Sequence, residues 1–175
     1  MSTFFLKDME KSSNLWYNKL IIEMEVCMKV SIGCDHGGFL LKEHLKRYLL
    51  KTGREVIDQG CYEKSRVDYP DHAVKVAKDV QSGEAQYGIL VCTTGIGMSI
   101  TANKFKGIRA ALVTNGEAAV LTREHNDSNI ICLGEKFTSF DDGEKFVESF
   151  LSTSFTEGRH TERVKKIIEV EKNEK

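Results

Sequence analysis

From Met28 onward, apolar and polar positions repeat in blocks whose period switches between strand and helix. Val30-Ser-Ile-Gly-Cys34 has strand spacing, and Leu40, Leu41, His44, Leu45, Tyr48 and Leu49 then recur at helical spacing. Gly53 follows where a helix C-cap belongs. Glu55-Val-Ile-Asp58 is a second strand, and Gln59–Asp68 is polar loop. Pro70, the only proline, suits the first turn of a helix carrying Ala73, Val74, Val76, Ala77 and Val80. The third strand spans 87–92, where Ile89, Leu90 and Val91 form the unbroken apolar run of a central parallel strand. A helix begins within Met98 to Lys104. The fourth strand is Ile108–Val113, followed by a helix over Gly116–His125 and a fifth strand over Asn129–Leu133. Phe146, Val147, Phe150 and Leu151 mark another helix, and Arg159–Val170 a last one.

Alternating strands and helices predict an α/β fold: a three-layer α/β/α sandwich on a five-stranded parallel, flavodoxin- or Rossmann-like sheet of order 2-1-3-4-5. In such a sheet the ligand sits at the carboxyl ends of the strands where the order reverses, between the first and third. Those ends are Cys34-Asp-His-Gly-Gly38 and Cys92-Thr-Thr-Gly95, so topology brings Asp35 and His36 beside Cys92. Residues 1–27 stand apart as an extension expected outside the core, and 28–175 are expected to form one domain ending in the last helix. Leu20, Ile21, Ile22 and Met24 give one turn of a marginal amphipathic helix. Phe4-Phe5-Leu6 is too short for a signal-peptide core, and Asp8, Glu10, Glu23 and Glu25 with no arginine argue against a mitochondrial presequence.

A chain of 175 residues, 41% hydrophobic, suits one domain with a full core. The formal net charge of −1 leaves no large basic field for nucleic acid, so any phosphate must be held by a few placed residues. No apolar run approaches the roughly 20 residues that span a bilayer. The five cysteines, at 27, 34, 61, 92 and 132, are odd in number and lack a C-x-x-C pair, which fits free thiols in a reducing cytoplasm. No cluster of His, Cys and carboxylate has metal-ligand spacing, and neither a metal nor another cofactor is expected.

The chemistry concentrates at Cys92-Thr-Thr-Gly-Ile-Gly97, where a strand, a glycine turn and a helix start surround an anion-sized space with backbone N–H groups. A phosphatase loop would need arginine at position 98, which is Met98. A receiver domain would need a carboxylate at 92, a Walker loop Gly-Lys-Ser/Thr, and a dinucleotide fingerprint a third glycine where Ile100 stands. The loop therefore suits a small anion or an oxyanion, and a thiolate near imidazole can serve as a base. Each residue also has a plainer reading. Cys92 fits as a buried small residue, Asp35 as a helix N-cap, and His36 as a solvated loop residue. His125-Asn126, expected at the same sheet edge as Cys92, fits a helix cap. Arg159 and Arg163, spaced i, i+4, fit a solvated stripe with Glu162 and Lys166. Lys136, just past the fifth strand, is placed to reach the Cys92 edge.

Taken together these segments resemble the type B ribose-5-phosphate isomerases and their relatives acting on hexose 6-phosphates, from about Lys29 to Glu171. The motifs are Gly33-Cys-Asp-His-Gly37, Val56-Ile-Asp-Gln-Gly60, Asp68-Tyr-Pro70, Cys92-Thr-Thr-Gly-Ile-Gly97, Asn103-Lys, Gly107-Ile-Arg-Ala110, Glu124-His-Asn-Asp127 and Gly158-Arg-His160. The resemblance implies metal-free interconversion of an aldose phosphate and a ketose phosphate. It implies that Cys92 moves the proton between C1 and C2, with Thr94 and the amides of 93–97 holding the enediolate oxygen. It implies further that His125, assisted by Asp35, opens the ring. His36, Arg159 and Arg163 would hold the phosphate, with Asn126, Tyr69, Lys136 and the Thr93, Gly95, Ile96 and Gly97 backbone around the sugar. The implied assembly is a cytoplasmic homodimer or dimer of dimers, with the site between subunits.

Two departures stand out. Thr93 occupies a position that is commonly glycine, and Lys136 one that is arginine in relatives; lysine keeps the charge but loses the bidentate fork. With Met98 and Ser99 beyond the loop, the chain groups with relatives whose base is cysteine. The expected reaction is ribose 5-phosphate to ribulose 5-phosphate. The same chemistry on allose or galactose 6-phosphate is the alternative, and a non-catalytic flavodoxin-like binding module is a third reading.

Overall fold

Side chains along each central strand alternate between two apolar layers, and this alternation builds the sheet. A computed structural model describes residues 28–173. The readings of residues 1–27, including the helical turn at Leu20–Met24, lie outside the described residues. The strands are β1 (Lys29–Cys34), β2 (Glu55–Asp58), β3 (Tyr87–Cys92), β4 (Ala110–Leu112) and β5 (Ile130–Gly134). The helices are α1 (Phe39–Lys51), α2 (Tyr69–Ser82), α3 (Ile96–Ala102), α4 (Gly116–Asn126), α5 (Phe140–Ser152) and α6 (Arg159–Asn173), with a 3-10 turn at His36–Gly38. None of these helices is long and apolar enough to cross a membrane.

Val30, Ile32, Cys34, Ile89, Val91, Ile131 and Leu133 face α1, α4 and α5 through Leu41, Leu45, Ala119, Phe146 and Phe150. Leu90, Cys92, Ile130 and Cys132 face α2 and α3 through Ala73, Val76, Ala77, Met98 and Ala102. Burying both faces of β3 and β5 is what their continuous apolar runs require. Pro70 lies in the first turn of α2, and Gly83 closes that helix in the left-handed conformation (φ 78°).

All pairs are parallel, and the order is β2-β1-β3-β5-β4. This corrects the expected order at one edge: β5, not β4, lies beside β3. The cause is burial. β5 is buried along its whole length, whereas β4 is only three residues long and ends in Leu112, 39% exposed. An edge place tolerates such a strand; an interior one does not. The reversal point between β1 and β3 is where it was expected.

α1 is tied to the end of β2 by Lys42, whose side chain has no exposed surface. Its ammonium donates to both oxygens of Asp58 at 3.1 Å and also to Glu43. Asp58 further accepts from Lys46 at 2.6 Å and from the Gly60 amide at 3.0 Å. Burial alone would raise the Asp58 pKa, but these hydrogen bonds outweigh it and hold the carboxyl below its usual range. A depressed folded-state pKa adds stability that is present above the ordinary carboxylate range and lost as pH falls through the folded value. We expect Lys42→Met to cost about 2 kcal/mol at neutral pH, measured by urea unfolding, because Asp58 loses one of its two ammonium partners and keeps Lys46 and the Gly60 amide. The gap between variant and wild type should narrow only as pH falls below the ordinary carboxylate range and through the depressed folded value of Asp58.

Candidate active site

The pairing of β1 with β3 sets the site. Cys34 is level with Val91, so Asp35 follows opposite Cys92, and the Asp35 amide donates to the Val91 carbonyl at 3.3 Å. Asp35 is extended and its Oδ1 accepts from the Gly37 amide at 2.9 Å, so it caps the 3-10 turn while lying at the sheet edge. The turn rests on the start of the Cys92 loop. A Cβ on Gly38 would lie 2.5 Å from the Val91 carbonyl and 2.8 Å from the Cys92 nitrogen. His36 is exposed, with Nδ1 3.2 Å from the Val67 carbonyl in the loop after β2.

Cys92 is 5% exposed, and the Gly95 amide donates to its sulfur at 3.0 Å. That geometry needs the left-handed backbone of Gly95 (φ 77°), from which α3 begins. Thr94 Oγ1 accepts from the Ile96 amide at 3.4 Å. The loop is pinned to the end of β5: the Glu135 amide donates to the Cys92 carbonyl at 2.9 Å and the Lys136 amide to the Thr93 carbonyl at 3.1 Å. Glu135 Oε2 in turn accepts from the Leu41 amide in the first turn of α1 at 2.9 Å. The Tyr69 ring lies over Gly97, where a Cβ would meet it at 2.6 Å. One carboxyl edge therefore gathers Asp35, His36, Tyr69, Thr93, Thr94, Gly95, Ile96, Gly97 and Lys136. A thiol, a carboxylate, an imidazole and a turn of amides in one place suit proton transfer at a carbon next to a carbonyl.

His125 and Asn126 are elsewhere, which corrects their expected placement. α4 leaves the carboxyl end of β4 and returns antiparallel to the strands, so it ends at the amino edge. Its 11 residues span about 16 Å. Arg109, just before β4, donates to the Asn126 and Asp127 carbonyls at 3.0 and 2.8 Å and fixes that corner. A second cluster forms there. The ring of His125 stacks on His160 with centroids 4.2 Å apart and planes 6° apart. Arg159 Nε donates to His160 Nε2 at 3.3 Å, and Arg163 lies one turn on in α6. Glu162 pairs with Lys165 at 2.8 Å.

His160 closes the Gly158-Arg-His160 motif but was given no role of its own. It is 4% exposed, and its buried Nδ1 has no hydrogen-bond partner among the described residues. Burial first, then the nearby His125, Arg159 and Arg163, push its pKa below the ordinary imidazole value. Among the described residues no group of three or more His, Cys, Asp or Glu is placed to hold a metal ion.

Gly38→Ala tests the contact between the two carboxyl-edge loops. Backbone cannot move aside as a side chain can, so we expect a loss of about 2 kcal/mol or more in urea unfolding. An unchanged unfolding midpoint would contradict the contact.

The ribose/galactose isomerase family profile matches residues 30–167. Ribose-5-phosphate isomerase B of Escherichia coli is 42% identical over 143 residues, 82% of this chain and 96% of the relative. The galactose-6-phosphate isomerase subunit LacB of Clostridium acetobutylicum is 38% identical over 149 residues, 85% of this chain and 86% of the relative. Among solved structures, ribose-5-phosphate isomerase B of Clostridium thermocellum superposes with a TM-score of 0.83 at 49% identity, covering 85% of this chain and all of that one.

Proposed function

This chain belongs to the ribose/galactose isomerase family, and we propose that its substrate pair is D-ribose 5-phosphate and D-ribulose 5-phosphate. It is a sugar-phosphate isomerase; the pentose, the base and the shared site are our reading. In this reading the Cys92 thiolate removes the C2 proton of the open aldose. The electron pair left behind spreads over C1, C2 and their oxygens as an enediolate. Thr94 and the amides of 93–97 hold the oxygen that gains charge, and they cost no reorganisation at that moment. The Cys92 thiol returns its proton to C1, one proton passes between the two oxygens, and the ketose has the same atoms as the aldose. His125 gives a proton to the ring oxygen, and Asp35 assists at the O1 hydroxyl. His36, Arg159 and Arg163 bind the phosphate dianion, with Asn126, Tyr69 and Lys136 around the sugar.

The observation that carries this is the register that sets Asp35 beside Cys92. A second observation bears on assembly: the Cys92 edge and the His125–Arg163 corner lie at opposite ends of α4 in one chain. That separation supports a homodimer in which each site takes one half from each copy, repeated by two-fold symmetry. The likeness to the galactose-6-phosphate isomerase subunit favours a second reading, with a hexose 6-phosphate as substrate.

Ketose formation from ribose, allose and galactose phosphates decides between the two substrates. We expect ribose 5-phosphate to be fastest, and Cys92→Ala to lower its turnover about 10²- to 10⁴-fold in a folded protein. Activity within a few-fold of wild type would remove Cys92 from the role of base. The shared site predicts complementation. Cys92→Ala and Arg163→Ala, each impaired alone, should give about one quarter of wild-type activity when co-expressed, because half the dimers then hold one intact site. Activity no higher than the two variants made separately would place the whole site in one chain.

A further inference from the structure

The sulfurs of Cys34 and Cys61 lie 3.4 Å apart in the interior, both as free thiols, and the isomerisation uses neither. Cys34 ends β1 and points into the α1 and α5 layer, on the opposite side of the sheet from Cys92. Cys61 lies three residues past the end of β2. Its amide donates to the Cys34 carbonyl at 3.1 Å, so the backbone holds the two side chains together. The buried ammonium of Lys42 lies against Gly60, where a Cβ would be 2.9 Å from its Cε. Burial pushes both thiols up, and the Lys42 charge works against that by favouring their thiolates.

We propose that Cys34 and Cys61 are a modification site that closes reversibly as a disulfide, one residue from Asp35, and slows the isomerase. The oxidant is a two-electron one such as hydrogen peroxide. Cys61 is the less enclosed of the two, 4% exposed against 0% for Cys34. Its thiolate attacks one peroxide oxygen, the O–O bond breaks, and the departing hydroxide takes up a proton. The Cys61 sulfenic acid is then attacked by the Cys34 sulfur. The S–O bond breaks, water leaves, and the S–S bond forms. Each sulfur gives up one electron, and peroxide is reduced to two waters. A dithiol such as dithiothreitol reverses the change.

The effect on the site follows from where the loop goes. A disulfide needs its sulfurs about 2.05 Å apart, so closure draws the two sulfurs together by more than about 1 Å and pulls on the backbone that carries them. The loop after Cys61 carries Val67, whose carbonyl meets His36 at 3.2 Å, and leads into Tyr69 over Gly97. A displacement of about 1 Å in groups that position a substrate is enough to cost up to about 10²-fold. The effect on turnover rests on the isomerase reading; the linkage does not.

The test treats full-length protein with hydrogen peroxide, caps the remaining thiols by alkylation, and maps peptides by mass. We expect a Cys34–Cys61 linked peptide two hydrogens lighter than its reduced halves, with Cys92 still alkylated. Ribose 5-phosphate isomerisation should drop about tenfold or more and return with dithiothreitol. Cys61→Ala should keep near wild-type activity before treatment and retain it afterwards, with Cys61→Ser as the replacement if the alanine variant folds poorly. No linked peptide, or a linked peptide with unchanged turnover, overturns the proposal. So does equal inactivation of the Cys61 variant, which would assign the loss to Cys92. If the reduced wild type has no turnover, the isomerase reading fails and the peptide map still decides the linkage.

Discussion

The parallel register of β1 against β3 is the constraint on which the rest depends. It sets Cys34 level with Val91, and from that one pairing Asp35 falls opposite Cys92 and the His36–Gly38 turn rests on the Cys92 loop. A slip of one residue would turn every β3 side chain to the other face. Cys92 would enter the layer of α1 and α5, and its sulfur would lose the Gly95 amide. The two helix layers forbid such a slip, because Ile89 and Val91 are wanted on one side and Leu90 and Cys92 on the other. The hydrophobic pattern that drives folding therefore also places the reactive groups.

The same parallel topology keeps the His125 corner away from the Cys92 edge within one chain. Every helix between parallel strands runs back to the amino edge, so a residue at the end of α4 cannot lie beside the end of β3. What the chain does instead is build a stiff corner. Arg123, 5% exposed, donates to Asp127 at 2.9 Å and to Tyr87 Oη at 3.1 Å, with its guanidinium 4.9 Å from the Tyr87 ring. Asp127 adopts the left-handed conformation (φ 47°) and also pairs with Arg109 at 2.8 Å. Such backbone strain persists only where the surroundings fix it, and here two arginines do so. The corner holds His125 and Asn126 at a set angle toward whatever meets that face.

Much of this was legible in the residues because burial writes a period into them. β3 was expected at 87–92 and is found at Tyr87–Cys92, and Pro70 was expected in the first turn of α2 and lies there. The order of β4 and β5 was not legible in that way: periodicity tells how buried a strand is, not which neighbour it takes. The weakness of Ala110–Leu112 beside Ile130–Gly134 did carry the answer, through the rule that edge strands are short and half-exposed. The wrong edge for His125 was an error of direction, since the antiparallel return of a helix follows from the topology already inferred. The stacking of His160 on His125 was not readable, because it depends on how α6 docks against α4. The Cys34–Cys61 contact likewise depends on the turn at Gly60, which no period specifies.

The two departures from the family pattern prove to adjoin each other. The Lys136 amide donates to the Thr93 carbonyl, so the unusual residue after the cysteine and the unusual cation after β5 share one backbone bond. Thr93 also fills space left by a glycine across the way, since a Cβ on Gly37 would lie 2.1 Å from its Oγ1. A side chain at 93 is therefore accommodated by Gly37 and leaves the path of the Cys92 loop intact, with the Gly95 amide still on the sulfur. The lysine ammonium lies 6.0 Å from the Phe137 ring, a placement compatible with cation–π attraction. Both changes thus fall on the rim of the site. Neither displaces the backbone around Cys92, whose sulfur keeps the Gly95 amide at 3.0 Å.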